Sequence, residues 1–144
     1  RLCKLDISKN NFDGTVTLPF FGVLLKLTEL KELDVSFNEL RVGGIRQLMP
    51  LLAQSSSLSS LNLEMCHIGD EGVQVLAQGL RLCCALRTLD LSSNLITTPG
   101  TVAFALQLSS FSSLTRLFFA CNASYIEAHF AILNNAPMWL ELTI

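Results

Sequence analysis

The sequence predicts an α/β solenoid in which short parallel strands line a concave face and helices lie on the convex face. The first observation is a constant spacing, because the leucines that begin five similar phrases stand 28 residues apart: Leu2, Leu30, Leu58, Leu86 and Leu114. The second is the similarity of the phrases, which run from LCKLDISKNNF in the first unit to LTRLFFACNAS in the fifth. A fixed period of this size indicates a stack of similar units rather than one folded core.

Each phrase alternates apolar and polar residues, which predicts a short strand with one buried face. Residues 4–8 read KLDIS and residues 88–92 read TLDLS. The turn after each strand carries a residue whose side chain can bond backbone groups that stacking would otherwise leave buried and unpaired. These turn residues are Asn10, Asn38, Cys66, Asn94 and Asn122.

An apolar pattern of helical period follows each turn. In the third unit the stripe is Val73, Leu76, Ala77 and Leu80, at positions i, i+3, i+4 and i+7. The counterparts in the second unit are Ile45, Leu48, Met49 and Leu52. The pattern predicts one helix per unit.

The starts of three helices carry their own signals. Pro19 opens an apolar run that predicts the first helix. In the fourth, Thr98 is expected to cap and Pro99 suits the first helical position, with Phe104 and Leu108 on the buried stripe. Ser124 and Glu127 have the spacing of a capping box for the fifth helix.

The phrase has the form L-x-x-L-x-L-x-x-N/C-x-L, which resembles the leucine-rich repeat over nearly the whole chain. The 28-residue length and the stretch CHIGDEGVQVLAQGL at residues 66–80 resemble the ribonuclease-inhibitor subfamily. That subfamily includes ribonuclease inhibitors, NOD-like receptor sensor regions, Ran GTPase-activating proteins and tropomodulin-type actin-binding proteins. The resemblance implies a curved horseshoe segment, and it implies function only by analogy.

We expect a single leucine-rich repeat domain over residues 1–144. Its five repeats start near residues 2, 30, 58, 86 and 114, and a partial sixth starts at Trp139, only 25 residues after Leu114. Neither end shows the polar capping repeat that exposed solenoid ends need for solubility. We therefore expect a segment of a longer protein, embedded in a larger chain or complex.

Composition favours a protein partner. Charged residues form 15% of the chain, below the roughly 25% that is typical of soluble domains. The net charge of −2 gives no general attraction to nucleic acid, and no apolar run reaches the ~18 residues that span a membrane. The five cysteines are odd in number and form no C-x-x-C pair, which argues against a disulfide framework. We expect a cytoplasmic or at least intracellular location, with the nucleus left open.

The sequence contains no recognisable catalytic motif. It has no phosphate-binding glycine loop, nucleophile elbow or zinc-binding helix motif. His67 directly follows Cys66, which is not the spacing of a metal site, and His129 has no obvious partner. We expect no enzyme activity, no cofactor and no metal. A GTPase-activating role would require a loop surface, and Arg41 and Arg46 lie near a suitable turn.

The side chains that alternate with the buried leucines are predicted to form rows on the concave face. Neighbouring strands lie about 4.8 Å apart, so the row Asp6, Asp34, Asn62 and Asp90 becomes a stripe rich in carboxylates that ends at Phe118. Such a stripe suits a basic partner, although Asp at this position is also common in the repeat consensus. Exposed aromatic residues and Met are typical of binding hot spots. The concave candidates are Asp6, Asp34, Glu64, Asp90, Phe37, Met65, Arg116 and Phe118.

Apolar residues on the convex side predict a second contact surface. Four helix positions that should face outward carry Leu51, Val75, Val102 and Leu106. The fourth helix is apolar nearly all round, which indicates either burial or contact with another polypeptide.

These features predict a protein-interaction or scaffold module of a larger intracellular protein. It would bind through the concave strands, with the convex helices as a second surface. Two alternatives remain open: the sensor or autoinhibitory repeat region of a NOD-like receptor, and a Ran-type GTPase-activating regulator.

Overall fold

The computed structural model describes residues 1–14, 18–123 and 126–144, and of residues 18–20 it describes the backbone only. Within these ranges short strands alternate with helices along the chain. The strands are β1 (Lys4–Asp6), β2 (Glu32–Asp34), β3 (Ser60–Asn62), β4 (Thr88–Asp90), β5 (Arg116–Phe118) and β6 (Glu141–Thr143). The helices are α1 (Leu18–Leu24), α2 (Arg41–Gln54), α3 (Gly69–Leu80), α4 (Thr98–Ala105) and α5 (Ile126–Asn135), with a 3-10 helix at Leu108–Ser110.

The six strands form one parallel sheet in the order β1-β2-β3-β4-β5-β6. Each residue pairs with the residue 28 positions later, as Leu5 does with Leu33 and Leu33 with Leu61. The last step is shorter, since Leu117 pairs with Leu142, 25 positions later. The sheet confirms the predicted solenoid, and the shortened sixth phrase still enters it in register.

The core lies between the strands and the helices. The middle leucines of β2–β5 are buried, and so is the predicted stripe of α3. In α2, Ile45, Leu48 and Leu52 are buried as predicted, whereas Met49 is half-buried. Met49 reaches towards α3, where a Cβ on Gly79 would lie 2.8 Å from the Met49 sulfur. Adjacent helices therefore interlock through a large residue on one and a glycine on the next.

The turn asparagines connect neighbouring units through hydrogen bonds. Asn38 Oδ1 accepts the backbone N–H groups of Asn10 and Phe12 at 3.0 Å, and Asn38 Nδ2 donates to the Ile7 and Val35 carbonyls at 3.1 and 2.8 Å. Asn94 and Asn122 repeat this arrangement in their own units. These bonds satisfy buried backbone groups that the sheet does not pair, which confirms the role predicted for the turn position.

Cys66 occupies the same turn position with a weaker set of interactions. Its Sγ lies 3.3 Å from the Val35 carbonyl oxygen and 3.6 Å from that of Glu64. Burial raises the pKa of the Cys66 thiol to about 12, against the weaker opposing effect of the Asn38 N–H. The thiol is therefore protonated at neutral pH and unsuited to nucleophilic chemistry. Cys66 is a structural residue.

Three aromatic rings fill the core near the fifth unit. The Phe104 ring centroid lies 5.4 Å from that of Phe111 and 5.7 Å from that of Phe119, and all three residues are buried. These separations fall in the favourable range for aromatic pairs. Phe119, which replaces the aliphatic residue of the other units, thus packs against the aromatic residues of the preceding unit.

The start of α4 differs from the prediction that Thr98 caps it. The N-cap residue is Thr97, and Pro99 lies in the first turn as predicted. The Thr97 N–H and hydroxyl both donate to the carboxylate of Asp70, on α3, with the N–H bond at 2.7 Å. The Thr97 side chain thus makes no capping bond to the α4 backbone and is held by the preceding unit instead. Local sequence spacing does not show this contact. The predicted capping residue of α5, Ser124, lies outside the described residues.

Apolar residues are exposed at the β6 end of the stack. Trp139 is 61% exposed, whereas the leucines that begin the second to fifth units are at most 3% exposed. On α5, Leu133 is 53% exposed, although Ala77 and Ala105 at the same place in α3 and α4 are fully buried. In the internal units, the residues at these positions are buried against the next unit.

Candidate protein-binding surface

The strand register assembles the rows predicted for the concave face. Lys4 pairs with Glu32, Asp6 with Asp34, and Asp90 with Phe118. The middle row is Asp6, Asp34, Asn62, Asp90, Phe118 and Thr143, and the row beside it is Lys4, Glu32, Ser60, Thr88, Arg116 and Glu141. Neighbouring side chains of one row are thus separated by one strand spacing, about 4.8 Å.

The carboxylates of the middle row also stabilise the turn that follows each strand. The Oδ1 atoms of Asp6, Asp34 and Asp90 accept the N–H of the residue two positions later at 3.0, 2.9 and 2.8 Å. Asn62 does the same for the N–H of Glu64 at 3.0 Å. Asp or Asn is therefore favoured here by the fold itself, which explains its recurrence without reference to a partner.

These hydrogen bonds leave the negative charge of the row available at the surface. The N–H and hydroxyl of Ser8 hold the pKa of the Asp6 carboxyl below its usual range, so the group remains ionised. Among the residues that the structure describes, Asp6, Asp34, Glu64 and Asp90 form no ion pair. The concave surface of the first four units therefore presents carboxylates whose charge is not neutralised by a paired side chain.

The neighbouring row is largely neutralised within the chain. Lys4 Nζ lies 2.9 Å from Glu32 Oε2, and Glu32 raises the pKa of Lys4 through this contact. Arg116 Nε donates to Thr88 Oγ1 at 3.2 Å and remains exposed. Phe118 is half-buried between its register neighbours Asp90 and Thr143. Of these two candidates, Arg116 is the more accessible.

A second feature lies at the rim of the concave face, directly before the turn asparagines. Phe37 and Met65 are 38% and 40% exposed, with φ angles of 56° and 51°. Positive φ recurs at this position in all five units: Lys9, Phe37, Met65, Ser93 and Cys121. We call these residues the rim column. The left-handed conformation costs a side chain of any type other than glycine about 1–2 kcal/mol, and sequence alternation gives no sign of it. Sequence reasoning identified Phe37 and Met65 but missed their conformation.

Phe37 and Met65 border a small cavity of about 170 Å³. Its remaining lining residues are Asn11, Asn38, Glu39 and His67. Lys9 Nζ lies 5.2 Å from the centroid of the Phe37 ring, within the range of a cation–π interaction. The cavity has an apolar wall and a polar border. The contribution of His67 to this cavity was not predicted.

The convex candidates are mostly covered by neighbouring helices. Leu51 is only 3% exposed, so the prediction that it faces outward is wrong: it lines a groove with Leu24 and Leu27, beside the α1 helix that packs on α2. Val75 and Val102 are half-buried, and Val75 packs against the core. Leu106 is 63% exposed, as predicted. The four residues do not form one continuous apolar surface.

Within the described part of the chain, no group of three or more His, Cys, Asp or Glu side chains could hold a metal ion. The same residues contain no helix that is long and apolar enough to cross a membrane. The features that characterise the candidate surface are therefore its carboxylates, its rim column and its shape.

The comparisons with known proteins agree with the fold and its periodicity. The family described as Leucine Rich repeat matches residues 26–49, 54–77 and 82–105, together half of the chain. The chain belongs to the leucine-rich repeat family and is of the ribonuclease-inhibitor type, as the resemblance implied.

Among curated proteins the chain is similar to the ribonuclease inhibitor of Mus musculus, at 36% identity over 104 residues that cover 72% of this chain and 23% of that protein. It is also similar to the NACHT, LRR and PYD domains-containing protein 4E of Mus musculus, at 39% identity over 79 residues that cover 54% of this chain and 8% of that protein. The chain thus spans less than a quarter of the length of these relatives.

Among solved structures the chain resembles Leiomodin-1 Actin-Binding Site 2, with a TM-score of 0.73. The likeness covers 92% of this chain and 77% of that one, at 15% sequence identity. At this identity the likeness shows the fold alone. Together with the family match, it defines a leucine-rich repeat module.

Proposed function

We propose that this module binds a protein partner through its concave face and that the partner is basic where it meets β1–β4. The observation that carries the proposal is the set of carboxylates on one face that lack an ion-pair partner among the described residues: Asp6, Asp34, Glu64 and Asp90. Complementary charge would steer such a partner to this face and fix its orientation.

The relatives support a binding role for this type of fold. Their names describe an inhibitor of ribonuclease and a site that binds actin. Both names denote recognition of another protein. We infer that the present chain likewise acts by binding, as a scaffold segment within a larger protein, with no catalytic role and no cofactor.

The test removes negative charge from the concave face and keeps the hydrogen bonds that these side chains make to the turn N–H groups. Replacing Asp6, Asp34 and Asp90 together by Asn keeps the Oδ1 acceptor for each turn N–H and removes the three charges. At position 34 it also removes the Oδ2 atom that accepts Asn62 Nδ2 at 3.0 Å, so the double variant Asp6→Asn, Asp90→Asn, which keeps that bond, is measured beside it. Peptides selected from a random displayed library on the immobilised chain serve as the probe. We expect the triple variant to weaken their binding at least ten-fold at low salt, and raised salt to weaken binding to the unaltered chain.

The matched control is a triple variant with three exposed carboxylates outside the concave face changed to Gln: Glu29, Glu71 and Glu127. It alters the net charge by the same amount. Equal loss of binding in both triple variants would show a general charge effect and would refute the proposed face.

A second candidate function is the sensor region of a NOD-like receptor. It is favoured by the 39% identity to a protein that contains NACHT, LRR and PYD domains. A nucleotide-binding domain on the same polypeptide would support it, and a full-length transcript without one would exclude it. The GTPase-activating alternative receives no support from Arg41 or Arg46, because Glu39 and Glu71 hold their guanidinium groups at 2.7 and 2.8 Å.

We propose an intracellular, cytoplasmic location. All five cysteines are free thiols, and Cys3, Cys84 and Cys121 are exposed. Exposed thiols persist in a reducing compartment and become oxidised outside it. Labelling with a membrane-impermeant thiol reagent distinguishes the two: no labelling on intact cells and labelling after lysis supports the proposal, and labelling on intact cells contradicts it.

A further inference from the structure

In the rim column, the fold requires one backbone conformation, whereas the side chains differ from unit to unit. The backbone N–H groups of Lys9, Phe37, Met65 and Ser93 each donate to a carbonyl of the next unit, at 2.9–3.1 Å. These bonds accompany the positive φ of the first four units in the same way. The fold thus sets the conformation at each position but not the side chain, because a lysine and a serine serve as well as a phenylalanine or a methionine.

Phe37 and Met65 are therefore not needed for folding at these positions. Both keep more than a third of their surface exposed, and glycine would adopt their backbone conformation without strain, which offsets the apolar burial that the side chains provide. Their function would have to lie in the contact that their exposed surfaces make with another molecule.

The cavity beside them suits one apolar side chain. Phe37 and Met65 supply its apolar wall, and its volume of about 170 Å³ is comparable to that of a single large side chain. The polar lining residues Asn11, Glu39 and His67 stand at its border. An anchor residue with polar surroundings is the usual anatomy of a binding hot spot.

Two carboxylates that form no ion pair with a described residue lie near the cavity-lining residues along the chain, and we expect them to select the neighbour of that anchor. Glu64 directly precedes Met65 in the chain, and its carbonyl accepts the N–H of Phe37 at 2.9 Å. Asp34 ends β2, three residues before Phe37, and it forms no ion pair with a described residue. A cationic side chain beside the anchor would thus meet two carboxylates.

We propose that Phe37 and Met65 form the anchor subsite of the concave face. The occupant is a protein segment that places one aliphatic or aromatic side chain in the cavity, with a Lys or Arg next to it bound by Glu64 and Asp34. This inference rests on the proposed function, since it names the part of the concave face where the partner makes its main apolar contact.

The experiment uses a random twelve-residue peptide library displayed on phage and selected on the 144-residue chain, immobilised at low density. Selected peptides are then synthesised and titrated by fluorescence polarisation. We expect enrichment of Leu, Ile, Phe or Trp within two residues of Lys or Arg. Phe37→Gly and Met65→Gly should each lower the affinity at least ten-fold without lowering the unfolding midpoint, because glycine relieves the positive φ.

Ser93→Gly is the matched control, because Ser93 belongs to the same column with a φ of 58°. It should leave the affinity unchanged. One outcome would contradict the anchor subsite alone: peptides that still bind both glycine variants but do not bind the triple Asn variant. That outcome would still support the proposed function. Failure to enrich any peptide that depends on either set of residues would overturn both.

Discussion

The Oδ1 atom of Asn94 accepts the backbone N–H of Cys66 at 2.9 Å, across 28 residues of sequence. The same side chain donates to the Leu63 carbonyl at 2.7 Å and to the Ser92 carbonyl at 3.1 Å, so one buried amide satisfies backbone groups of two units. Neither unit can pair these groups by itself. The stack is thus held by polar side chains at the turns as well as by leucines in the core.

Asn94→Ala should lower the free energy of unfolding by about 3 kcal/mol. It removes acceptors and donors from buried backbone groups, each of which costs about 1–3 kcal/mol when it is left unsatisfied. Urea denaturation followed by circular dichroism measures the change. Asn134→Ala, at an exposed position of α5, is the control and should stay within about 0.5 kcal/mol of the unaltered chain. A loss below 1 kcal/mol at Asn94 would contradict the role given to it.

Cys66→Asn should raise the free energy of unfolding by about 1 kcal/mol. An amide at this position would reach the Val35 and Glu64 carbonyls that the thiol now approaches. It would also accept the N–H of Asn38 with an oxygen instead of a sulfur. The same denaturation experiment applies, with Cys66→Ala as the control that removes the donor. A lower stability of the Asn variant than of the unaltered chain would show that the local packing is specific for the thiol.

Stability should fall at alkaline pH because of Cys66. Its folded pKa of about 12 lies above the ordinary value of 9.0, so the stabilisation is complete below pH 9 and is lost as the pH rises towards 12. At pH 10 the unfolded thiol is mostly ionised, which costs the folded state about 1.4 kcal/mol. The difference in unfolding free energy between the unaltered chain and Cys66→Ala should shrink by that amount between pH 7 and pH 10. A constant difference would contradict the buried, protonated thiol.

Gly22→Ala and Gly100→Ala should have opposite effects although both glycines are helical. A Cβ on Gly22 meets none of the described atoms within 4 Å, and the variant should gain about 0.5–1 kcal/mol from helix propensity. A Cβ on Gly100 would lie 2.9 Å from the Cα of Asp70 and would displace the carboxylate that binds Thr97. That variant should lose about 1–3 kcal/mol. Thermal unfolding of the two proteins side by side gives the sign of each change.

The isolated chain should self-associate through its β6 end. Trp139 and Leu133 occupy places that internal units bury, and β6 has a paired strand on one side only. Exposed strand edges and apolar end faces favour association. Sedimentation velocity should show a larger monomer fraction when Trp139 and Leu133 are both changed to Lys. Met138→Lys, at a fully exposed residue of the same loop, is the control and should have little effect.

Much of the concave surface follows from the sequence alone. The 28-residue period and the alternation in each phrase were sufficient to place Asp6, Asp34 and Asp90 in one row, and the strand register confirms it. The period also predicted the buried helix stripes and the bonding role of the turn asparagines. Each of these features depends on the orientation of a side chain within its own unit, which local periodicity reports.

Other features were decided by contacts between units. Leu51 is buried beside Leu24 of α1, Thr97 donates a hydrogen bond to Asp70 of the preceding helix, and Phe119 packs against Phe104. The positive φ of Phe37 is likewise set by its hydrogen bond to the next unit. The sequence by itself determined which face each residue takes relative to its own unit. Only the tertiary structure decided which residues a neighbouring unit covers, because that depends on the packing of two units and not on the period of one.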